Sequence, residues 1–215
     1  MPPEYGVPTF DQYLEPSDVW RIINSCENER DRLVLETMWE SGGRVSEVLA
    51  LTPEWIGETS LILPNLKQRV EAFKEVTVSA DLCLRLKDFA DKSHIAEGSC
   101  IFRSPGNPGK PMGRNYVWRL VTRLSGELGI ARVKKGKGLD QGEGTPEFRN
   151  AWPHLFRHSS AMHILEETGS TEVTQHQLGH SSIITTQGYA RTKDLSAKES
   201  LGKVDWNKGK EEKNE

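Results

Sequence analysis

The chain has 215 residues and a formal net charge of -3, and 35% of its residues are hydrophobic and 27% charged. This composition is typical of one globular domain or two small ones, and it excludes a disordered, fibrous or membrane-spanning chain, because no stretch approaches the roughly 20 apolar residues of a membrane helix. Met1 leads into Pro2-Pro3-Glu4 rather than a basic and then apolar leader, and the three cysteines are scattered, so we expect an intracellular, cytoplasmic protein without a disulfide framework.

Two helices are predicted before the first pair of glycines. After an extended, proline-rich lead-in over residues 1–15, Ser17 can cap a helix that runs to about Cys26. The apolar spacing over residues 28–41 predicts a second helix, which is amphipathic and buries one face. Gly42-Gly43 would end this second helix.

A short helix and a hairpin are predicted next. The helix would cover residues 44–51 and end at Thr52-Pro53, since the residue before a proline disfavours helical backbone. Residues 60–63 and 73–78 predict two strands, the second of which alternates with a period of two. The two strands would pair as an antiparallel hairpin.

The rest of the chain is predicted to be mainly helical. Helices are expected over residues 80–91, 113–128, 153–168, 171–178 and 182–190. Residues 132–147 are rich in Gly, Lys and Glu and predict a mobile surface loop. We therefore expect a mainly α fold with a small antiparallel β-sheet (α+β), built as a single domain over residues 16–201. The polar tail over 202–215 is expected to be frayed or to be ordered only by a partner.

Charge is distributed unevenly along the chain. Residues 1–60 contain twelve acidic and four basic side chains, whereas residues 103–138 contain nine basic side chains and one acidic side chain, Glu127. Such a basic segment is a candidate surface for a polyanion; the alternative is a solvated face followed by a loop. The candidate contact residues are Arg103, Lys110, Arg114, Arg119, Arg123, Lys134, Lys135 and Lys137.

The first motif that could carry chemistry follows the glycine pair. Arg44 opens a helix directly after Gly42-Gly43, and Glu47 lies one turn further on. Glu47 is therefore placed to hold the guanidinium of Arg44 or to cap the start of the helix. The alternative is a surface ion pair worth well under about 1 kcal/mol.

A second motif lies at the start of the predicted helix over 153–168. His154, Arg157 and His158 have i, i+3, i+4 spacing and are predicted to share one helical face. An imidazole beside a planar, permanently charged guanidinium suits the binding of a phosphate and the handling of a proton. A capped helix start, core histidines or a metal-binding histidine pair would also explain the spacing.

The third motif is Leu178-Gly179-His180, followed by Tyr189 nine residues later. Gly179 is a plausible helix stop, so His180 would be held at a bend, and the next helix would carry Tyr189 near its end. Taken alone, a tyrosine in this position is more often a half-buried packing residue than a nucleophile.

Taken together and in this order, the motifs closely resemble the catalytic domain of tyrosine recombinases, the phage integrase family. The matching stretches are GGRVSEVLALTPEWI (residues 42–56) and HLFRHSSAMHILEETGSTEVTQHQLGHSSIITTQGYA (residues 154–190). The second stretch is highly specific, whereas residues 57–150 match only in plan. The resemblance covers about residues 16–195 and implies the integrase catalytic fold.

The resemblance also implies a reaction and a set of roles. Two arginines would stabilise the charge on a scissile DNA phosphate without a metal or cofactor. A tyrosine would attack phosphorus and form a 3′-phosphotyrosyl link, so that strands are cleaved and rejoined at a specific site. The residues implied are Arg44 and Arg157 on the phosphate, Tyr189 as nucleophile, His154 as its proton acceptor, His180 as a donor to a phosphate oxygen, Lys67 as general acid, and Glu47 and His158 in support. The partners implied are double-stranded DNA and further copies of the chain, as dimers to tetramers.

Two features depart from the family pattern. The family uses a hairpin lysine to protonate the leaving hydroxyl, but NLKQRVEAF lacks the common glycine-flanked lysine and the connection is long. Lys67 is our choice, because it lies between the two strands; Lys74 is the alternative, and its place inside a strand counts against it. The chain also starts almost at the catalytic domain, whereas the family usually carries an N-terminal DNA-clamping domain.

Three other functions stay open at this point. A type IB topoisomerase uses the same chemistry to relax DNA, although the Leu-Gly-His box and the short spacing to Tyr189 favour a recombinase. A non-catalytic DNA-binding remnant would keep the fold. A metallohydrolase could use His154 with His158, or His176 with His180, which have i, i+4 spacing but no acid between them as in H-E-x-x-H.

Overall fold

Seven α-helices, a short 3-10 helix (Pro53–Trp55) and three two-stranded antiparallel sheets form the part of the chain that the computed structural model describes. This part comprises residues 13–65, 73–134, 147–179 and 200–210, with backbone alone for 131–134 and 147–150. The helices are α1 (Pro16–Asn24), α2 (Glu29–Ser41), α3 (Val45–Val48), α4 (Ala80–Lys92), α5 (Arg114–Glu127), α6 (Pro153–Thr168) and α7 (Thr171–Leu178). The strands pair in sequence order and are β1 (Ser60–Pro64) with β2 (Phe73–Thr77), β3 (Arg103–Ser104) with β4 (Asn107–Pro111), and β5 (Ala131–Lys134) with β6 (Glu147–Asn150). The expected mainly α fold with small antiparallel sheets is confirmed.

Helix α2 is the centre of the core, and here the prediction of an amphipathic helix is wrong. Every residue from Leu33 to Ser41 is buried, because α1, α3, α4 and α6 all pack against α2. The two buried carboxylates of this stretch have partners: Glu36 pairs with Arg85 on α4, and Glu40 accepts hydrogen bonds from Ser79. A carboxylate on a helix surrounded on all sides needs such partners, because an unpaired buried charge is costly.

The ends of the first helices differ in detail from the prediction. Helix α1 begins at Pro16 with Glu15 as its N-cap, so Ser17 lies inside the first turn and does not cap it. Proline at the first helical position costs no hydrogen bond, because that N–H is unpaired in any helix. Asn28 caps α2 through the backbone N–H of Asp31, and α3 is a single turn rather than the expected eight residues.

The predicted hairpin is present, and two further hairpins were missed. In β1–β2, Leu63 pairs with Lys74, and the burial of β2 alternates as the period-two pattern predicts. The sequence of β4, NPGKP, is exposed throughout and carries no alternation that could have revealed it. The expected loop over 132–147 begins and ends in the paired strands β5 and β6, so its extent was overestimated.

The C-terminal segment 200–210 packs against the chain itself, so the expectation of a frayed or partner-dependent tail is wrong up to Lys210. Trp206 is 4% exposed, and its carbonyl accepts hydrogen bonds from the indole N–H groups of Trp20 (3.0 Å) and Trp39 (3.3 Å). The ring of His163 stacks on Trp39 and bonds the carbonyl of Asp205. Leu201 and Val204 are buried as well, so three apolar side chains and two backbone carbonyls together anchor this polar segment to α1, α2 and α6.

Several predictions lie outside the described residues: the lead-in up to residue 12, Lys67, Lys135, Lys137, His180, the helix over 182–190 with Tyr189, and the last five residues. The domain boundaries stay a prediction. Within the described ranges, no helix combines the length and the apolar composition that a membrane crossing requires.

Candidate active site

Arg44 is held by Glu47 in two ways. The α3 turn starts at Val45, three residues after Gly42, which ends α2 with a left-handed backbone (φ 58°), and Arg44 is the N-cap residue of α3. Its guanidinium donates to Oε1 of Glu47 at 2.6 Å, and its backbone N–H donates to Oε2 at 3.0 Å. Glu47 therefore both holds the guanidinium and caps the helix, as predicted from the spacing. The side chain of Arg44 is 23% exposed, whereas that of Glu47 is fully buried.

Arg157 extends from α6 towards the same place and ties two chain segments together. Its side chain is almost fully buried, and its two terminal nitrogens donate to the carbonyl of Gly42 (2.6 Å) and the carbonyl of Leu178 (2.9 Å). Burial, and then the charge of Arg44, lower the pKa of Arg157 to about 10, although Glu47 opposes this change. The guanidinium thus stays charged at neutral pH, and it interacts with that of Arg44.

Lys74 is the third cation of this group. It occupies an inward position of β2, and its Nζ lies 3.1 Å from Oε2 of Glu47 and 3.1 Å from the carbonyl oxygen of Leu178. We call Arg44, Lys74, Arg157 and the carboxylate of Glu47 the cation cluster. Burial alone would raise the pKa of Glu47, but the charge of Lys74 and the hydrogen bonds from Arg44 outweigh it and hold that pKa below its usual range.

The end of α7 closes one side of the cation cluster. Gly179 ends the helix with a left-handed backbone (φ 64°), as the sequence predicted, and the preceding carbonyl of Leu178 accepts from both Lys74 and Arg157. Gln177 fixes this end of the helix to β2, since its amide bonds both the N–H and the C=O of Thr77. The chain therefore enters the segment that begins with His180 directly from the cation cluster.

The predicted single face of His154, Arg157 and His158 is divided in the structure. Arg157 points into the protein, whereas His154 and His158 are exposed, with their ring centroids 4.4 Å apart in an edge-to-face arrangement. Partial desolvation, and then Arg157, lower the pKa of His158. Within the described ranges, no three or more His, Cys, Asp or Glu side chains are grouped as a metal site would require.

The described basic residues of the 103–138 segment face solvent to different degrees. Arg114, Arg119 and Arg123 are exposed on α5, and Lys110 is exposed on β4, whereas Arg103 is half-buried. Arg123 forms an ion pair with Glu127, in which the nitrogen and oxygen atoms lie 3.2 Å apart. For Lys134 only the backbone is described, so its role as a contact residue stays a prediction.

Sequence reasoning did not find the buried position of Lys74 beside Glu47. Its position inside a strand was held against it as a general acid, yet the alternation places Lys74 and Val76 on the inner face of β2, and Val78, directly after the strand, is buried as well. That alternation was visible in the sequence. The sequence contains no signal for the role of the Leu178 carbonyl, because every residue has a backbone carbonyl whatever its side chain.

Comparison with known proteins gives one consistent family. The sequence model of the phage integrase family matches residues 12–195 of this chain. The tyrosine recombinase XerC of Xanthomonas axonopodis pv. citri (strain 306) is 31% identical over 188 residues, which are 83% of this chain and 53% of the relative. The tyrosine recombinase XerA of Pyrococcus horikoshii is 23% identical over 191 residues, which are 89% of this chain and 60% of the relative. This chain spans about half the length of the curated relatives it matches.

Solved structures share the fold. The integrase of mycobacterium phage Brujita superposes with a TM-score of 0.64 at 16% identity, over 93% of this chain and 59% of that protein. The catalytic core of lambda integrase gives a TM-score of 0.53 at 18% identity, over 80% of this chain and 94% of that core. The fold agrees with these structures, and the family match extends over all of the residues that carry the three motifs. The chain therefore belongs to the phage integrase family.

Proposed function

We propose that this chain is the catalytic part of a site-specific DNA recombinase, which cleaves and rejoins strands through a 3′-phosphotyrosyl intermediate. The observation that carries the proposal is the cation cluster, in which Arg44 and Arg157 come from distant parts of the sequence and interact at one place. Membership of the phage integrase family supports the same function.

The charge balance of the cation cluster suits a phosphodiester. Three cations face one carboxylate, so an excess of positive charge is held by buried hydrogen bonds before any substrate arrives. Such preorganised donors stabilise the charge that grows on the non-bridging oxygens in the transition state, and they need no reorganisation when it forms. Arg44, the most exposed of the three, offers the first contact to an incoming phosphate.

The proposed reaction conserves the number of phosphate ester bonds. The phenolic oxygen of Tyr189 attacks phosphorus, the bond from phosphorus to the 5′ oxygen breaks, and the strand is left as a 3′-phosphotyrosyl ester. His154 takes the phenolic proton, which a free tyrosine with a pKa of about 10 holds at neutral pH. The leaving 5′ oxygen takes a proton from Lys67, and His180 donates a hydrogen bond to a phosphate oxygen. Attack by a 5′ hydroxyl reverses these steps and rejoins the strands.

Contact with duplex DNA is proposed for the basic side chains of the 103–138 segment. Arg114, Arg119 and Arg123 face solvent along α5, and such residues can neutralise backbone phosphates. Binding through this surface would fall steeply with salt. We further propose that the chain acts inside the cell as dimers to tetramers on DNA, because strand exchange joins two duplexes.

The test uses a library of nicked duplexes with a randomised site, because a nick beside the cleavage point lets the short fragment that bears the new 5′ hydroxyl diffuse away and traps the covalent product. Adducts are captured under denaturing conditions and sequenced. The wild-type chain should enrich a defined duplex, and Tyr189→Phe should give no adduct. Adduct that persists in Tyr189→Phe would contradict the assignment of the nucleophile.

The same selected duplex separates recombination from simple relaxation. A recombinase should exchange strands between two labelled duplexes that carry the site, and light scattering should report dimers or tetramers on that DNA. Relaxation of supercoiled plasmid without exchange, by a monomer, would favour a type IB topoisomerase activity. Binding without any adduct would favour a non-catalytic remnant.

A further inference from the structure

We propose that Lys74 is a positioning residue, whose buried ammonium joins Glu47 to the Leu178 carbonyl and so fixes Arg44 and Arg157 around one phosphate site. It would not donate the proton to the leaving oxygen. This inference rests on the proposed function and deepens it, since it separates the roles of two lysines on the same hairpin.

Lys74 connects the hydrogen-bond partners of the two arginines. Its Nζ bonds Oε2 of Glu47 (3.1 Å), and the other oxygen of that carboxylate holds the guanidinium of Arg44 (2.6 Å). On its other side, Nζ donates to the Leu178 carbonyl (3.1 Å), which also accepts from Arg157 (2.9 Å). Lys74 therefore bonds directly to a partner of each arginine: to Glu47, which holds Arg44, and to the Leu178 carbonyl, which accepts from Arg157.

The ammonium group of Lys74 already uses two of its hydrogen-bond donors inside the protein. A lysine has three N–H donors, and two of them already point to Glu47 and to Leu178. Burial lowers the pKa of Lys74 to about 8 in spite of Glu47, so the group stays charged at neutral pH. Loss of its proton during the reaction would leave the buried carboxylate of Glu47 without this cation at the moment when Arg44 is needed.

The side chain of Lys74 fits into a space that exists because residue 179 is a glycine. A Cβ built on Gly179 would lie 2.7 Å from Cδ of Lys74, so the absence of a side chain at Gly179 makes room for the lysine stem. Lys74 is only 9% exposed in this slot. A side chain held this closely is poorly suited to follow a leaving group, and well suited to fix the two segments that it touches.

The leaving group distinguishes the two roles. The selected duplex is prepared with an ordinary phosphodiester and with sulfur at the 5′ bridging position, because a thiol with a pKa near 8.5 leaves without a proton donor. Lys67→Ala should lose cleavage of the ordinary duplex and recover it with sulfur. Lys74→Met should be slowed on both by about 100-fold, as expected for misplaced arginines. Recovery of Lys74→Met by sulfur would identify Lys74 as the proton donor and overturn the inference.

A charge-balanced variant separates positioning from the loss of one positive charge. Lys74→Met leaves the buried carboxylate of Glu47 with Arg44 as its remaining cation of the cation cluster; removing the buried pair together avoids this imbalance, so Lys74→Met/Glu47→Gln should stay folded. It should be as slow as Lys74→Met on both duplexes; wild-type rates would overturn the inference. Lys92→Met, at an exposed lysine on α4 that pairs with Asp88, is the matched control and should cleave within about twofold of wild type.

Binding of inorganic pyrophosphate tests the inference without strand cleavage. At constant ionic strength, calorimetry should detect binding to the wild-type chain and to Lys67→Ala, and binding at least about tenfold weaker in Lys74→Met/Glu47→Gln. Equal binding by this double variant, or none by wild type, would overturn the inference. If wild type binds pyrophosphate yet forms no DNA adduct, the proposed recombinase function fails while the positioning role of Lys74 is supported.

Discussion

Replacement of Glu40 by glutamine should abolish a large pH dependence of stability. Glu40 lies on α2 with 2% of its surface exposed, and its two oxygens accept hydrogen bonds from the backbone N–H (2.7 Å) and the hydroxyl (3.1 Å) of Ser79. Burial raises the pKa of Glu40 from 4.5 to about 7, although the bonds from Ser79 oppose it. Glutamine keeps the shape of the side chain but does not titrate.

The sign and the size follow from the two pKa values. Between about pH 4.5 and pH 7 the unfolded chain has released the proton of Glu40 while the folded chain still holds it, so stability falls as the pH rises. Over the whole window the loss is about 3 kcal/mol, since each pKa unit corresponds to about 1.4 kcal/mol. Above pH 7 both states are ionised, and the loss is complete.

Urea unfolding at pH 5, 6, 7 and 8 measures this directly. The free energy of unfolding of wild type should fall from pH 5 to pH 8, whereas Glu40→Gln lacks this fall. The difference between the variant and wild type should therefore increase by most of the 3 kcal/mol across this series. Glu97→Gln, at an exposed carboxylate, is the matched control and should not reproduce the trend. A difference between wild type and Glu40→Gln that stays flat from pH 5 to 8 would refute the argument that burial sets the protonation of Glu40.

Three further predictions concern the C-terminal anchor, the helix stop and the basic helix. Trp206→Ala should cost at least about 3 kcal/mol of unfolding free energy, because it removes a buried indole ring that packs against the rings of Trp39 and His163; a change under about 1 kcal/mol would show that the segment is not anchored. Gly179→Ala should destabilise clearly more than Gly169→Ala in the same unfolding assay. Both glycines have left-handed backbones, which cost about 1 kcal/mol for alanine, but only the Cβ at 179 meets Lys74; equal costs would contradict this packing. Replacing the three exposed arginines of α5 by glutamine should lower the salt slope of DNA binding by about 0.9 per arginine, and an unchanged slope would place the DNA elsewhere.

Much of the fold was predictable because its signals are local. The alternation over 73–78 predicted β2, and Gly179 predicted the end of α7, since both depend on neighbouring residues. The burial of α2 was not predictable in this way, because it results from helices that pack on it from remote parts of the chain. The strand β4 is short, exposed and rich in glycine and proline, so it lacks the alternation on which strand prediction relies.

The candidate site likewise contains local contacts, which the sequence predicted, and contacts between remote segments, which it did not. The contact between Arg44 and Glu47 spans one helical turn, and the spacing alone predicted it. The meeting of Lys74 with Glu47 and Leu178 joins residues that are far apart in sequence, and a strand position in the sequence does not reveal what its side chain faces. Gly179, the last described residue before His180, directly follows the Leu178 carbonyl that Lys74 and Arg157 share.

The most direct test of the account is the formation of covalent adduct on the selected nicked duplex by wild type, Tyr189→Phe and Arg157→Ala, with duplex binding measured in parallel. We expect adduct from wild type alone, while both variants retain most of their affinity for the duplex, because the arginine is needed for the transition state and the tyrosine for the bond. Adduct formation by Arg157→Ala at the wild-type rate would contradict the claim that the cation cluster is the site of strand cleavage.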